Sequence, residues 1–234
     1  MGRMESLLAA LFPHKCFGCG ELIEGTGYCC TACREKLLAL TVSEACPRCG
    51  KPAGDCICAA FPDGFDRAAA PFLYHGPVRY GIHHYKYRHK RYYADFLSGF
   101  MAQAVKDRFG EIAFSGIVYV PMHWKKRNMR GFCPTKDLAR GLSKRLGVPV
   151  AEHLLRHTGK GKAQMEQKTA AKRLENVRGA FEAVKGAKLE GGDYLLVDDV
   201  LTSGATAHRC ACLLKGMGAG RVYVVTAATT GKES

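Results

Sequence analysis

Nine of the chain's twelve cysteines fall between positions 16 and 58, and eight of them stand in four close pairs. The pairs are Cys16-x2-Cys19, Cys30-x2-Cys33, Cys46-x2-Cys49 and Cys56-x-Cys58. No other feature limits the fold as strongly. A two-residue spacing lets one tight turn present two sulfurs to a tetrahedral ion, and a second turn closes the site. Gly20 and Gly50 follow two of the pairs, where such a turn asks for a positive φ. The segment has few large apolar side chains of its own, so bound metal must supply much of its folding energy. A disulfide framework is the competing reading, but it needs an oxidising compartment for which no secretion signal speaks. Zinc is preferred to iron because isolated four-cysteine ribbons are usually structural zinc sites.

Two ligand sets follow: Cys16, Cys19, Cys30 and Cys33, then Cys46, Cys49, Cys56 and Cys58. Cys29 could take the place of Cys30, and the single spacer in Cys56-Ile57-Cys58 makes the second set the less regular. Cys133, Cys210 and Cys212 stand apart and read as buried small hydrophobes.

The remainder has the composition of an ordinary folded protein, with 47% apolar and 24% charged residues over a length of 234. That length holds one sizeable α/β domain and a small satellite. The expected division is a cysteine module over residues 1–62 and an α/β domain over 63–234. No apolar run reaches the length of a membrane span. Met1 to Phe12 reads as a short amphipathic helix and not as a signal peptide, so a cytoplasmic location is expected. The formal charge of +14 falls to about +10 once two four-thiolate metal sites are counted. A basic chain of this kind suits a phosphorylated substrate or another polyanion, and a merely soluble basic surface accounts for it equally well.

From Phe65 onward, short apolar strands alternate with helices. A strand-like stretch from Ala68 to Tyr74 leads to Pro77, placed to open a helix through Val78, Ile82 and Tyr85. A longer helix carries Leu97, Met101 and Val105 at helical spacing. Gly116-Ile117-Val118-Tyr119-Val120-Pro121 precedes a loop and a helix from about Pro134 to Leu146, and Arg221 to Thr226 closes the pattern. Such alternation predicts a mostly parallel sheet covered on both faces, with its binding site at the carboxyl ends of the strands.

The segment Tyr194 to Thr206 places that site. A buried strand, Leu195-Leu196-Val197, delivers Asp198 and Asp199, and the turn Thr202-Ser203-Gly204-Ala205-Thr206 runs into a helix of about Ser203 to Met217. Small residues there leave amides and hydroxyls free to surround a phosphate, and the helix dipole favours a dianion. The two carboxylates suit the hydroxyls of a ribose, or a magnesium ion bridged through water. This pattern of apolar residues, two acids and Thr-Ser-Gly-x-Thr resembles the phosphoribosyl pyrophosphate (PRPP) motif of type I phosphoribosyltransferases.

Over nearly the whole chain the sequence is similar to the ComF family of competence-associated phosphoribosyltransferase-like proteins. The resemblance rests on the cysteine pairs, on Tyr74-His75-Gly76 with Lys86-Tyr87, and on Val120-Pro121 with Arg130-Gly131-Phe132-Cys133. It rests also on Arg173-Leu174-Glu175-Asn176-Val177 with Ala180-Phe181. Cys133 stands where that family usually has Asn. The resemblance implies a phosphoribosyltransferase-like sheet behind a zinc ribbon, magnesium arriving with PRPP, and a role beside the DNA-uptake machinery. It also makes the segment after Val120 a pyrophosphate loop, with Lys125, Lys126, Arg127 and Arg130 as its cations.

Two classes of function are compatible with all this: a transferase with an unread acceptor, or a PRPP-responsive protein that handles single-stranded DNA. For the second, Tyr85 to Tyr93 interleaves tyrosines with Lys86, Arg88, Lys90 and Arg91, which either track a strand or form the solvated face of a helix. His83, His84 and His89 have no metal-ligand partners in the sequence and read as surface residues.

Overall fold

The computed structural model describes residues 14–23, 27–61, 63–159 and 179–231. The short amphipathic helix expected over Met1–Phe12 and the Arg173 to Val177 motif lie outside the described residues. A central sheet runs in the order β1-β7-β6-β3, with β2 also pairing β7, and every pairing in it is parallel. Its strands are β1 (Arg67–Ala69), β2 (Phe72–Leu73), β3 (Phe114–Tyr119), β6 (Asp193–Leu201) and β7 (Arg221–Thr229). The helices are α1 (Thr31–Ala39), α2 (Gly76–Tyr87), α3 (Tyr93–Phe109), α4 (Trp124–Arg130), α5 (Pro134–Leu146) and α6 (Ala205–Gly216). β4 (Leu155–His157) and β5 (Phe181–Ala183) form a separate antiparallel pair.

Both faces of the sheet are covered, as the strand–helix alternation requires. Leu195 and Val197 of β6 point into a core shared with α2, α3 and α5, while Leu196 points into one shared with α6. Alternate residues of one strand thus feed two cores, which is why β6 is apolar without a break. The single strand expected over Ala68–Tyr74 is split by Ala70-Pro71. Pro71 cannot donate to a ladder, and the chain steps out there so that its carbonyl accepts from Val42 N–H, 3.1 Å away.

Two further expectations change. The segment after Val120 is not a loop throughout but contains α4, opened by His123 Nδ1 accepting from Lys125 N–H at 3.1 Å and stopped by Gly131 at φ 71°. Tyr85 to Tyr93 is not one helical face: α2 stops at Tyr87, α3 starts at Tyr93, and His89 between them has φ 55°. Tyr85 and Tyr93 are buried, with their hydroxyls donating to Pro134 O and to Cys16 O, so neither offers a ring to a nucleic-acid base.

The cysteine segment packs directly on the α/β unit. Phe17, fully buried, meets Tyr93 and Phe96 at ring-centroid distances of 5.1 and 5.0 Å. Gly81 of α2 leaves the space: a Cβ there would lie 2.4 Å from the Phe17 ring. On the other side Cys49 belongs to the core under α6. No helix among the described residues is long and apolar enough to cross a membrane.

Candidate functional site

The eight paired cysteines converge on two centres. Cys16, Cys19, Cys30 and Cys33 form one and Cys46, Cys49, Cys56 and Cys58 the other, with the four sulfurs of each within 4.8 Å of one another. A tetrahedron with Zn–S bonds of about 2.3 Å has sulfur–sulfur edges of about 3.8 Å. The separations found are 3.7 and 3.9 Å at the first centre and 3.6, 3.7 and 3.8 Å at the second, so both donor sets fit zinc. The single spacer of Cys56-Ile57-Cys58 therefore does not spoil the second centre.

Burial opposes ionisation of Cys16, but amide donors from Cys30, Cys19 and Gly18 outweigh it and bring the thiol down to about 6. Amides of Cys49 and Arg48 do the same for Cys46. Cys29 is pushed up to about 12 by burial and stays out of the cluster, which leaves Cys30 as the ligand. Gly20 and Gly50 take φ of 81° and 67°, as the knuckle turns ask. Among the lone cysteines, Cys210 is fully buried, while Cys133 and Cys212 are only half-buried.

The second site grows from the end of β6. Asp198 and Asp199 lie near the end of this strand, next to its neighbour β7, and the turn that follows reaches Gly204 at φ 80°, which caps α6. Thr202 is exposed and Ser203 half-buried, so their polar groups are open to a ligand at the helix N-terminus. Asp199 does not stand free: Lys86, from the last turn of α2, places Nζ 2.8 Å from Asp199 Oδ1. Burial pulls the Lys86 ammonium down, yet Asp199 and then Asp198 outweigh it and leave its affinity for the proton raised.

Asp198 accepts a hydrogen bond from the Asp199 amide at 2.8 Å. Solvent still reaches part of the residue, but its carboxyl is surrounded by protein, and desolvation together with the Asp199 charge pushes it up to about 8. The folded protein therefore holds a proton that the unfolded chain has given up anywhere between the ordinary carboxylate value of 3.8 and about 8. Stability must fall as pH rises across that window and level off above it. Asp198→Asn removes this cost. Its melting temperature should exceed the parent's at pH about 8, with the gain fading toward pH about 4. Equal melting temperatures at both values would contradict the assignment.

The four cations of the segment after Val120 have separate fates. Arg130 turns inward, is 8% exposed, and stacks its guanidinium 4.3 Å from the centroid of the Tyr87 ring, beside Lys86. Lys125, Lys126 and Arg127 lie exposed on α4. Arg127 lines a cavity of about 780 Å³ with Trp124, Arg91, Lys136, Arg140 and Arg156. Neither the two acids nor residues 202–206 line that cavity. The structure thus seats Arg130 on the Tyr87 ring, one position along α2 from the lysine that pairs with Asp199, and leaves the other three cations exposed on α4.

Lys86 is the site residue that reading by composition misassigns, because a lysine among tyrosines resembles a nucleic-acid stretch. The Lys86-Tyr87 pair of the family resemblance was the signal that it belongs here. Arg88 remains exposed and Arg91 pairs with Asp137 at 2.9 Å. His84 stacks on Tyr80 at 3.9 Å and accepts no role in either cysteine cluster, while His83 and His89 are exposed.

Residues 7–62 match the double zinc ribbon domain and residues 129–233 the phosphoribosyl transferase domain. A DNA utilization protein from Escherichia coli O157:H7, YhgH, is 28% identical over 91% of this chain and 95% of its own. Competence protein F from Haemophilus influenzae is 24% identical over 91% of this chain and 96% of its own. Among solved structures, an adenine phosphoribosyltransferase from Thermoanaerobacter pseudethanolicus aligns with a TM-score of 0.38 and 18% identity, over 61% of this chain and 83% of that one.

Proposed function

We propose that this chain, which resembles the ComF family of competence-associated phosphoribosyltransferase-like proteins, binds PRPP with magnesium and acts in the handling of DNA during uptake. The observation that carries this reading is the sequence of groups at one strand end: two acids, a lysine paired to one of them, and an open turn at a helix N-terminus. Residues 202–206 would take the 5′-phosphate through amides and hydroxyls, aided by the helix dipole. Asp198 and Asp199 would accept from the ribose hydroxyls, with Lys86 holding Asp199 in place. Arg130, and Lys125, Lys126 and Arg127 from α4, would face the pyrophosphate.

Magnesium, arriving on the pyrophosphate, would supply charge neutralisation there. Among the described residues the groups that converge as a direct metal cage are cysteines, and Asp199 is already paired with Lys86. The acids therefore fit ribose hydroxyls and outer-sphere contact better than direct ligation. No described residue is placed as an activator of an acceptor, so transfer is read as the chemistry of the fold with the acceptor open. Calorimetric titration of magnesium–PRPP into zinc-loaded protein tests the binding, and labelled PRPP incubated with candidate acceptors, with and without single-stranded DNA, tests transfer. Absence of heat and of labelled product would overturn the reading.

A second reading, a non-catalytic PRPP-responsive binder of single-stranded DNA, is favoured by one observation: the basic cavity carries Trp124, 56% exposed, beside Arg127. A base can stack on that ring while the cations follow the backbone. Oligo(dT) affinity should then fall steeply with salt, and Arg127→Ala with Arg140→Ala, both lining that cavity, should flatten that slope by about two phosphate contacts. Lys86 is left out of this test because it serves Asp199. Salt-independent binding, or none at low salt, would dismiss the DNA reading.

A further inference from the structure

The phosphate turn is braced from behind by the second cysteine knuckle, through a lysine that no ligand needs to touch. Lys51 is 4% exposed, and its ammonium donates to Thr202 O at 3.1 Å, to Thr230 Oγ1 at 3.0 Å and to Thr230 O. Three donors meet three acceptors, which is the full capacity of an ammonium group. The acceptors lie where β6 and β7 end, so a buried charge, costly to desolvate, ties together the two strand ends from which the turn departs. The backbone of Lys51 is fixed in turn by the knuckle: Cys46 N–H donates to Lys51 O at 2.7 Å, and Gly50 N–H to Cys46 O at 3.0 Å.

The same knuckle supplies a wall. Ile57, between ligands Cys56 and Cys58, comes so near Gly204 that a Cβ there would lie 2.4 Å from Ile57 Cδ1 and 3.1 Å from the Phe61 ring. A larger residue at position 204 would therefore collide first with the knuckle, not with a ligand. The geometry of a trans peptide gives the functional consequence. Drawing the Thr202 carbonyl toward Lys51 points the Ser203 N–H the opposite way, out of the protein side and into the turn.

We infer that the second knuckle is a positioning element of the phosphate turn, that Lys51 is its positioning residue, and that metal at this centre, unlike metal at the first, sets the affinity of the turn for a phosphate monoester. This rests on reading residues 202–206 as the phosphate turn. The first centre docks elsewhere, against Pro77, Tyr80 and Gly81 of α2 and against α3.

The test uses full-length protein carrying its zinc, with Lys51→Met, Cys56→Ser and Cys19→Ser compared with the parent. Zinc content, amide exchange at residues 203–206, and calorimetry with ribose 5-phosphate and with pyrophosphate alone are read for each. Lys51→Met should keep the parent's zinc, exchange about tenfold faster in the turn and bind ribose 5-phosphate about tenfold or more weakly, with pyrophosphate unaffected. A lysine with only a general structural role would shift both ligands together. Cys56→Ser should lose one zinc and loosen the turn equally, while Cys19→Ser should lose one zinc and loosen the α2–α3 layer on the opposite face of the sheet, with turn exchange as in the parent. Should Lys51→Met shed its zinc, Ile57→Ala, which withdraws only the wall, gives the same comparison. Parental exchange in Lys51→Met or, in its place, Ile57→Ala overturns the inference, as does equal loosening in Cys19→Ser. If the parent binds neither ligand, the PRPP reading fails, and turn exchange alone still decides this one.

Discussion

Asp198→Asn combined with Asp199→Asn is expected, above pH about 8 where Asp198 has given up its proton, to weaken magnesium–PRPP binding by roughly a hundredfold or more, since each lost hydrogen bond to a charged group is worth about 1.5–3 kcal/mol. The two changes act through different circumstances. At Asp199 the substitution strips Lys86 of its 2.8 Å partner and leaves an ammonium among protein atoms with one counter-charge fewer. Part of the lost affinity will then come from a displaced Lys86. At Asp198 the substitution removes a carboxyl already pushed up to about 8, so the ligand-free protein gains stability there while it loses a ribose contact. Opposite effects on stability and affinity at one residue mark a group kept for function and not for the fold. Adding Lys86→Met to the Asp199 change should restore much of the melting temperature without restoring affinity. Calorimetry on the folded double variant decides the point: affinity equal to the parent's would remove both acids from the site.

The sheet was legible from the sequence because its signal is local. β6 is apolar at Leu195, Leu196 and Val197 since it faces two cores, and small residues at 202–206 can only be a turn entering a helix. The cysteine centres were legible for the same reason, since ligand spacing along the chain fixes the geometry at the metal. What escaped is what depends on contact between distant segments. Lys86 reaches Asp199 across 113 positions, as their numbers give, and its immediate neighbours Tyr85 and Tyr87 suggest a different role. Lys51 reaches Thr202 and Thr230 over still longer separations, and nothing near it, other than the knuckle that carries it, hints at a buried charge. α4 is hidden in the sequence because Trp124 to Arg130 is too short and too basic to show an apolar stripe, and its start depends on one histidine cap. Tyr85 and Tyr93 look alike in sequence to exposed tyrosines, and only their packing separates them from Tyr87.

The largest effect on the fold is expected at the first metal centre, where Cys16→Ser or Cys33→Ser should release one of about two zinc ions per chain and unfold the knuckle around it. Apparent zinc-binding free energies in structural sites are about 10–16 kcal/mol, as large as the whole stability of a typical domain at about 5–15 kcal/mol. Both cysteines are buried, so the exposed oxygen ligand that Ser would offer elsewhere is here a poor donor left without solvent. The damage will not stop at residue 33. Phe17 sits between Cys16 and Cys19, is fully buried, and fills the gap left by Gly81 beneath Tyr93 and Phe96. Withdrawing that ring opens a cavity in the helical core, and a Phe lost from a core costs about 3–5 kcal/mol on its own. The Tyr93 hydroxyl also loses its acceptors, the carbonyls of Lys15 and Cys16 at 2.9 and 3.0 Å. The variants should therefore lose cooperative thermal unfolding of the α2–α3 layer as well as metal. Phe17→Ala should reproduce the drop in melting temperature while retaining zinc, because the sulfurs stay in place. Elemental analysis of protein purified without chelator checks the premise: chains without bound metal, or a Cys16→Ser variant that keeps the parent's full complement, would show that the four sulfurs do not hold an ion.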